Sequence, residues 1–131
     1  TNTVLITGAT AGIGAAAARR FAGAGWRVVG TGRRRQRLDA MAAELGDAFH
    51  PLPLDMRDIA ALKAAVKDLP EDFRNVDVLI NNAGYAPPLE PLQQAYMADL
   101  DGVIATNVTG LVALTRALLP VVIARAGAVL N

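Results

Sequence analysis

The chain has no cysteine, which excludes disulfides and thiolate metal sites. It has one histidine, His50, and no metal-ligand spacing, so no resident metal is expected. No uninterrupted apolar run reaches the roughly 18 residues of a membrane span. The N-terminus also lacks the basic-then-apolar layout of a leader. Neither a membrane helix nor a signal segment is expected, and a reducing cytoplasm is the expected setting. Net charge is +1, which offers no surface for nucleic acid or membrane. Aromatic residues are 5% of the chain. Much of the apolar remainder is alanine, which favours helices packed closely on a sheet. A length of 131 residues is that of one domain with a real core.

What is present is a steady alternation of strand and helix. The predicted strands are Thr3–Ile6, Arg27–Thr31, Phe49–Leu54, Val76–Ile80 and a fifth beginning at Ala128. Helices are predicted over Gly14–Ala24, Arg35–Leu45, from an Asp58 N-cap to Asp68, and over Met97–Ala126, with Gly127 as the stop. Pro51 and Pro53 make the third strand an edge. The apolar fourth reads as buried on both faces. Pro120 is expected to bend or divide the long helix, and Gly110 to cost it about 1 kcal/mol. Repeated strand–helix–strand units with right-handed crossovers give an α/β, doubly wound parallel sheet.

The most informative segment joins the first strand to the first helix: Gly8-Ala9-Thr10-Ala11-Gly12-Ile13-Gly14. Glycine lets backbone approach a ligand closely, and the helix that starts there aims its unpaired N–H groups and positive dipole end at that ligand. A diphosphate fits; a tight turn without a ligand is the plainer alternative. After the second strand stands Gly32-Arg33-Arg34. Dinucleotide folds often carry an acid here for the NAD ribose. An arginine pair in its place suits the ribose phosphate of NADP, although a solvated basic helix start has the same composition. Asp55, before Met56, can accept from an amine or cap a turn. Asn81-Asn82-Ala83-Gly84 follows the fourth strand, as cofactor support or as a polar turn. Asn107 falls on the apolar stripe Leu100, Val103, Ile104, Leu111, Leu114, Leu118 and Val122, so it needs a hydrogen-bond partner.

Thr7-Gly8-x-x-x-Gly12-x-Gly14, the Asp55 position, Asn81-Asn82-Ala83-Gly84 and Thr106-Asn107-Val108-Thr109-Gly110 occur in the order found in the short-chain dehydrogenase/reductase family, which the whole chain resembles. Thr7–Gly12, Gly30-Thr31-Gly32-Arg33-Arg34, Glu90-Pro91 and Thr115–Pro120 resemble its NADP-dependent 3-hydroxy acid dehydrogenases, which include enzymes acting on serine or allo-threonine. The resemblance implies a Rossmann fold, with residues 1–131 as the dinucleotide-binding portion of a single domain. It implies NADP held by Gly8, Thr10, Gly12, Ile13, Gly14, Arg33, Arg34, Asp55, Met56, Asn82, Ala83 and Gly84, with Asp55 on adenine. Asn107 would support catalysis by holding a water near a lysine. The partner is a small polar substrate, and the assembly a homo-oligomer, typically a tetramer.

The family's catalytic Ser lies beyond the fifth strand, with a Tyr-x-x-x-Lys pair after it. Here a leucine stands four residues past each of Tyr85 and Tyr96, and the lysines are Lys63 and Lys67. The sequence is therefore expected to be the N-terminal half of a longer enzyme, broken off in its fifth strand. A non-catalytic dinucleotide-binding module and a subunit partner remain the alternatives.

Overall fold

The computed structural model describes residues 1–131. Five strands alternate with helices: β1 (Thr3–Ile6), α1 (Gly12–Gly23), β2 (Arg27–Gly32), α2 (Arg35–Leu45), β3 (Phe49–Pro53), α3 (Ile59–Lys67) and β4 (Val78–Ile80) come first. Then follow α4 (Met97–Ile104), a π-helical turn (Ala105–Gly110), α5 (Leu111–Ala124) and β5 (Ala128–Leu130). All pairings are parallel, in the order β3-β2-β1-β4-β5. This is the doubly wound Rossmann arrangement. The chain winds outward from β1 in one direction and then restarts on its other side at β4, so the switch point lies between β1 and β4.

The sheet alternation sorts side chains into two cores. Val4 and Ile6 of β1 and Val28 of β2 join Ala15, Ala18, Leu38 and Met41 under α1 and α2. Leu5, Val29 and Leu79 point the other way, against Leu62, Leu114, Leu118 and Val122 of α3 and α5. Alanines on α1 let that helix lie close to the sheet. β3 is the edge, as its prolines require. Asp58 caps α3 by accepting from the Ala61 N–H at 3.0 Å.

Several expectations are corrected. β4 spans only Val78–Ile80, with Val78 and Ile80 half-buried, so the strand is fully covered only at Leu79. α1 starts two residues early, at Gly12. The long helix is not divided at Pro120, which α5 carries on its exposed side, where a lost backbone hydrogen bond costs least. Its irregularity is the π-turn at Ala105–Gly110. That wider turn shifts the phase of the apolar stripe, so Ile104 is exposed and Asn107 half-buried. Gly110 does more than lower helix propensity: a Cβ there would strike the Met56 carbonyl. The helix also stops earlier than expected. Ala126 takes the left-handed conformation (φ 52°), and Gly127 is the residue that must pass the Asp77 carbonyl without a Cβ. Charged residues interrupt Met97–Ala124, yet its 28 residues are long and apolar enough to cross a membrane by length and composition. In this fold its α5 part packs Leu114, Leu118 and Val122 against the sheet.

Asp77 joins three elements at the far end of the sheet from the switch point. It accepts from the Thr3 N–H (2.8 Å) and from Arg125 Nε (2.7 Å). Burial opposes the charged carboxylate, but the Arg125 guanidinium and the Thr3 N–H outweigh it and hold Asp77 below the usual carboxylate range. A depressed pKa gives stability that is complete above the unfolded value, near 4, and is lost as pH falls through the folded value. Asp77→Ala should cost about 1–3 kcal/mol at pH 7 and show a weaker loss of stability on acidification than the parent. Urea unfolding at pH 7 and in the acid range measures both; identical acid dependence would contradict the assignment.

Candidate functional site

At the carboxyl ends of β1 and β4 the chain leaves the sheet. The Thr7 N–H still bonds the Ile80 carbonyl (3.1 Å), whereas the Ala9 N–H bonds the Thr31 carbonyl of β2 (2.9 Å). Gly8 lies between them at φ 66°, a conformation that favours glycine. Asn82 holds the turn from above: its Nδ2 donates to both the Thr7 and Gly8 carbonyls, each at 3.1 Å. The Ala83 N–H donates in turn to Thr7 Oγ1 at 2.9 Å. Asn82 is therefore structural glue for the glycine turn.

The three motif glycines have three different reasons. Gly8 needs its positive φ and lies against Ala83. Gly14 is packed on protein: a Cβ would meet the Gly8 carbonyl and Asn82 Nδ2. Gly12 has φ 54° and open space where its Cβ would be. A Cβ therefore has room at Gly12, whereas a substitution at Gly14 damages the turn itself.

An open cleft of about 350 Å³ lies over this turn. It brings together Gly8, Thr10, Arg33, Arg34, Asp55, Met56, Asn82, Ala83 and Gly84 from four separate segments of sequence. Ile13 is on the exposed first turn of α1 beside it. Gly12, Ile13, Gly14 and Asn107 are outside the lining. Two helices begin at the cleft, with Ala11 and Arg34 as their N-cap residues. Neither has a side-chain cap or an acid in its first turn. α3, whose start follows the lining residue Arg57, is capped by Asp58. The unpaired N–H groups and positive dipole ends of α1 and α2 thus meet at one place. Arg33, Arg34 and Arg37 line it without an ion pair of their own. An anion with two separated phosphate groups answers both features.

Asn107 sits in the π-turn and spends its amide on Tyr85: Oδ1 accepts from the Tyr85 N–H (2.8 Å) and Nδ2 donates to the Tyr85 carbonyl (2.9 Å). It fastens the loop after β4 to the long helix. Asn81, with similar sequence credentials to Asn82, faces away from the turn. Its Nδ2 bonds Thr115 Oγ1 (3.1 Å) and Asn131 Oδ1 (2.9 Å).

The cofactor-binding set expected from the sequence leaves out Arg37, Arg57, Tyr85 and Thr106, which also line the cleft. Arg57 had a signal, the Asp-x-Arg spacing of Asp55-Met56-Arg57. The two residues form a chelate: Arg57 Nε to Asp55 Oδ1 at 3.1 Å and Nη2 to Oδ2 at 2.9 Å. Hydrogen bonds from the Arg57 side chain and backbone hold Asp55 below the usual carboxylate range, with a smaller contribution from the charge of Arg33.

The glycine geometry separates two variants. Gly14→Val should lower unfolding free energy by about 1–3 kcal/mol or more, through overpacking against backbone. Gly12→Ala should cost only the strain of a left-handed alanine, about 1–2 kcal/mol. Urea titration of both checks this; a Gly14→Val protein as stable as the parent would show that the turn is not packed as described.

Comparison with known proteins agrees with this geometry. The family model described as short chain dehydrogenase matches residues 2–131. A serine 3-dehydrogenase of Rhizobium radiobacter is 50% identical over 129 residues, covering 98% of this chain and 52% of the relative. A sulfoacetaldehyde reductase 2 of Chromohalobacter salexigens is 50% identical over 122 residues, covering 92% of this chain and 48% of the relative. Among solved structures, the closed form of a serine dehydrogenase complexed with NADP+ superposes with a TM-score of 0.92 at 43% identity, over 97% of this chain and 52% of that one. The chain spans about half the length of the curated relatives it matches. With the switch-point cleft, the glycine turn and the family match in agreement, the chain belongs to the short-chain dehydrogenase family.

Proposed function

We propose that residues 1–131 are the dinucleotide-binding portion of a single-domain, NADP-dependent short-chain dehydrogenase. Its reaction is hydride transfer between a hydroxyl and a carbonyl on a small polar substrate such as a 3-hydroxy acid. The observation that carries the reading is the convergence of two uncapped helix N-termini and three unpaired arginines on one cleft. The NADP+ complex of a similar serine dehydrogenase supports the cofactor, and the serine 3-dehydrogenase relative supports the substrate class. The sulfoacetaldehyde reductase is 50% identical as well, so identity over this half does not choose between the two substrates.

NADP, when bound, supplies or takes the hydride. The chain's own residues do the rest of the holding. The N–H groups of Gly12, Ile13 and Gly14 at the start of α1 meet the diphosphate, with Gly8 and Thr10 beside it. Arg33 and Arg34 take the ribose phosphate at the start of α2. Asp55 and Met56 border the adenine. Asn82, Ala83 and Gly84 form the small-residue floor under the nicotinamide-side ribose. Asn107 has one amide hydrogen and one lone pair left after binding Tyr85, enough to hold a water in the supporting role proposed for it. Residues 1–131 contain no Tyr-x-x-x-Lys, so the proton donor of this reaction comes from elsewhere in the protein.

A cytoplasmic homotetramer belongs to the same proposal. Met97, Ile104, Val108, Val112 and Ile123 are all at least half exposed along the long helix, an apolar stripe that a second copy would cover.

Arg33→Ala with Arg34→Ala in the full-length protein should weaken NADP+ binding tenfold or more, at about 1.5–3 kcal/mol per lost charged hydrogen bond. NAD+ binding should barely change. Fluorescence titration with both cofactors reads this, and equal losses would show that the arginines do not recognise the ribose phosphate. NADPH oxidation by full-length protein with 3-oxo acids tests the activity; tight NADPH binding without turnover on any carbonyl substrate would instead favour the non-catalytic module.

A further inference from the structure

Four arginines face one acid in the cleft. Arg33, Arg34, Arg37 and Arg57 line it, and Asp55 is the carboxylate among the lining residues. A bare carboxylate there would repel any phosphate held by its neighbours. Arg57 answers it with a chelate of both oxygens, at 3.1 and 2.9 Å, and its backbone N–H adds a 3.0 Å bond to Oδ1. Oδ1 thereby uses both of its lone pairs, while Oδ2 keeps one. The two side chains are 50% and 38% exposed, and an exposed pair of this kind contributes little to stability. Three bonds between residues two apart nevertheless fix one carboxylate rotamer at the cleft wall.

We propose that Arg57 is a specificity-determining residue: it cancels the charge of Asp55 so that the cleft accepts a phosphorylated ribose, and it leaves one Oδ2 lone pair free for an exocyclic amine. The inference rests on the NADP reading above. Asp55 alone would disfavour a phosphorylated ribose relative to an unphosphorylated one. Its neutralisation by Arg57 tips the balance, because the extra phosphate is the group most sensitive to a nearby negative charge. Arg57 acts through Asp55 and is a positioning residue for the adenine end of the cofactor.

The test is calorimetric titration of full-length protein with NADP+ and with NAD+, for the parent and four variants. Arg57→Gln should raise the NADP+ Kd about tenfold or more, the order of a lost charge-assisted hydrogen bond. The NAD+ Kd should rise less, so the preference shrinks. Arg57→Lys keeps the charge and should keep most of the preference. Asp55→Asn combined with Arg57→Gln should restore most of what Arg57→Gln alone loses, since no carboxylate remains to be cancelled. Asp55→Asn alone should leave the preference equal or greater. If the pair only braces the turn, Arg57→Gln will weaken both cofactors equally and Asp55→Asn will not restore the preference; that pattern overturns the inference. A fall in preference with Asp55→Asn alone overturns it too, and does not depend on the Arg57→Gln protein folding. A parent protein with no preference for NADP+ would overturn the cofactor reading itself, and this inference with it.

Discussion

One side-chain amide holds the site in shape. Asn82 Nδ2 donates to two consecutive carbonyls, Thr7 and Gly8, at the point where β1 leaves the sheet. Those carbonyls have no strand partner left on that side, and the amide supplies it. The same amide leaves no room for a side chain at Gly14. α1 is therefore drawn down onto the turn, with its first N–H groups over the gap between β1 and β4. Remove this contact and two carbonyls lose their donor, of which the one on buried Thr7 would cost about 1–3 kcal/mol. The start of α1 would lose its fixed position as well.

The electrostatics of the cleft make sense only with an occupant. Helix N-termini are ordinarily satisfied by a capping oxygen or a nearby acid, and α3 shows that this chain can do so with Asp58. α1 and α2 forgo both at the one place where they converge. Arg34 stands at the N-cap of α2, against the helix dipole. Some arginines outside the cleft find partners: Arg19 pairs with Glu44, Arg35 with Asp39 and Arg125 with Asp77. Unsatisfied donors gathered in a cleft break the local rules of stability, and such breaches concentrate at functional sites.

Much of this was legible in the residues. The strand–helix alternation, the edge strand with its prolines, the Asp58 cap and the glycine turn all follow from local chemistry, and local chemistry decided them. The errors arose where distant parts of the chain decide. The π-turn coincides with the Asn107 clamp on Tyr85 and with Gly110, where a Cβ would strike the Met56 carbonyl. A uniform helical period carried through residues 105–110 therefore put Ile104 on the wrong face. The packing of Gly14 was hidden because its partner, Asn82, is far away in sequence. Arg57 went unnoticed although its partner is two residues away, because an Asp-x-Arg spacing gains meaning only when the cleft places it opposite Arg33 and Arg34.

The central claim is that α1 receives a diphosphate and α2, with its arginines, a ribose phosphate. The most direct measurement is a crystal structure of the full-length protein with NADP+. The account predicts the diphosphate within hydrogen-bonding distance of the Gly12 and Ile13 N–H groups. It predicts the ribose phosphate between the guanidinium groups of Arg33 and Arg34, and adenine beside Asp55. A cofactor bound with its diphosphate away from the start of α1, or with its ribose phosphate turned to solvent, would contradict it.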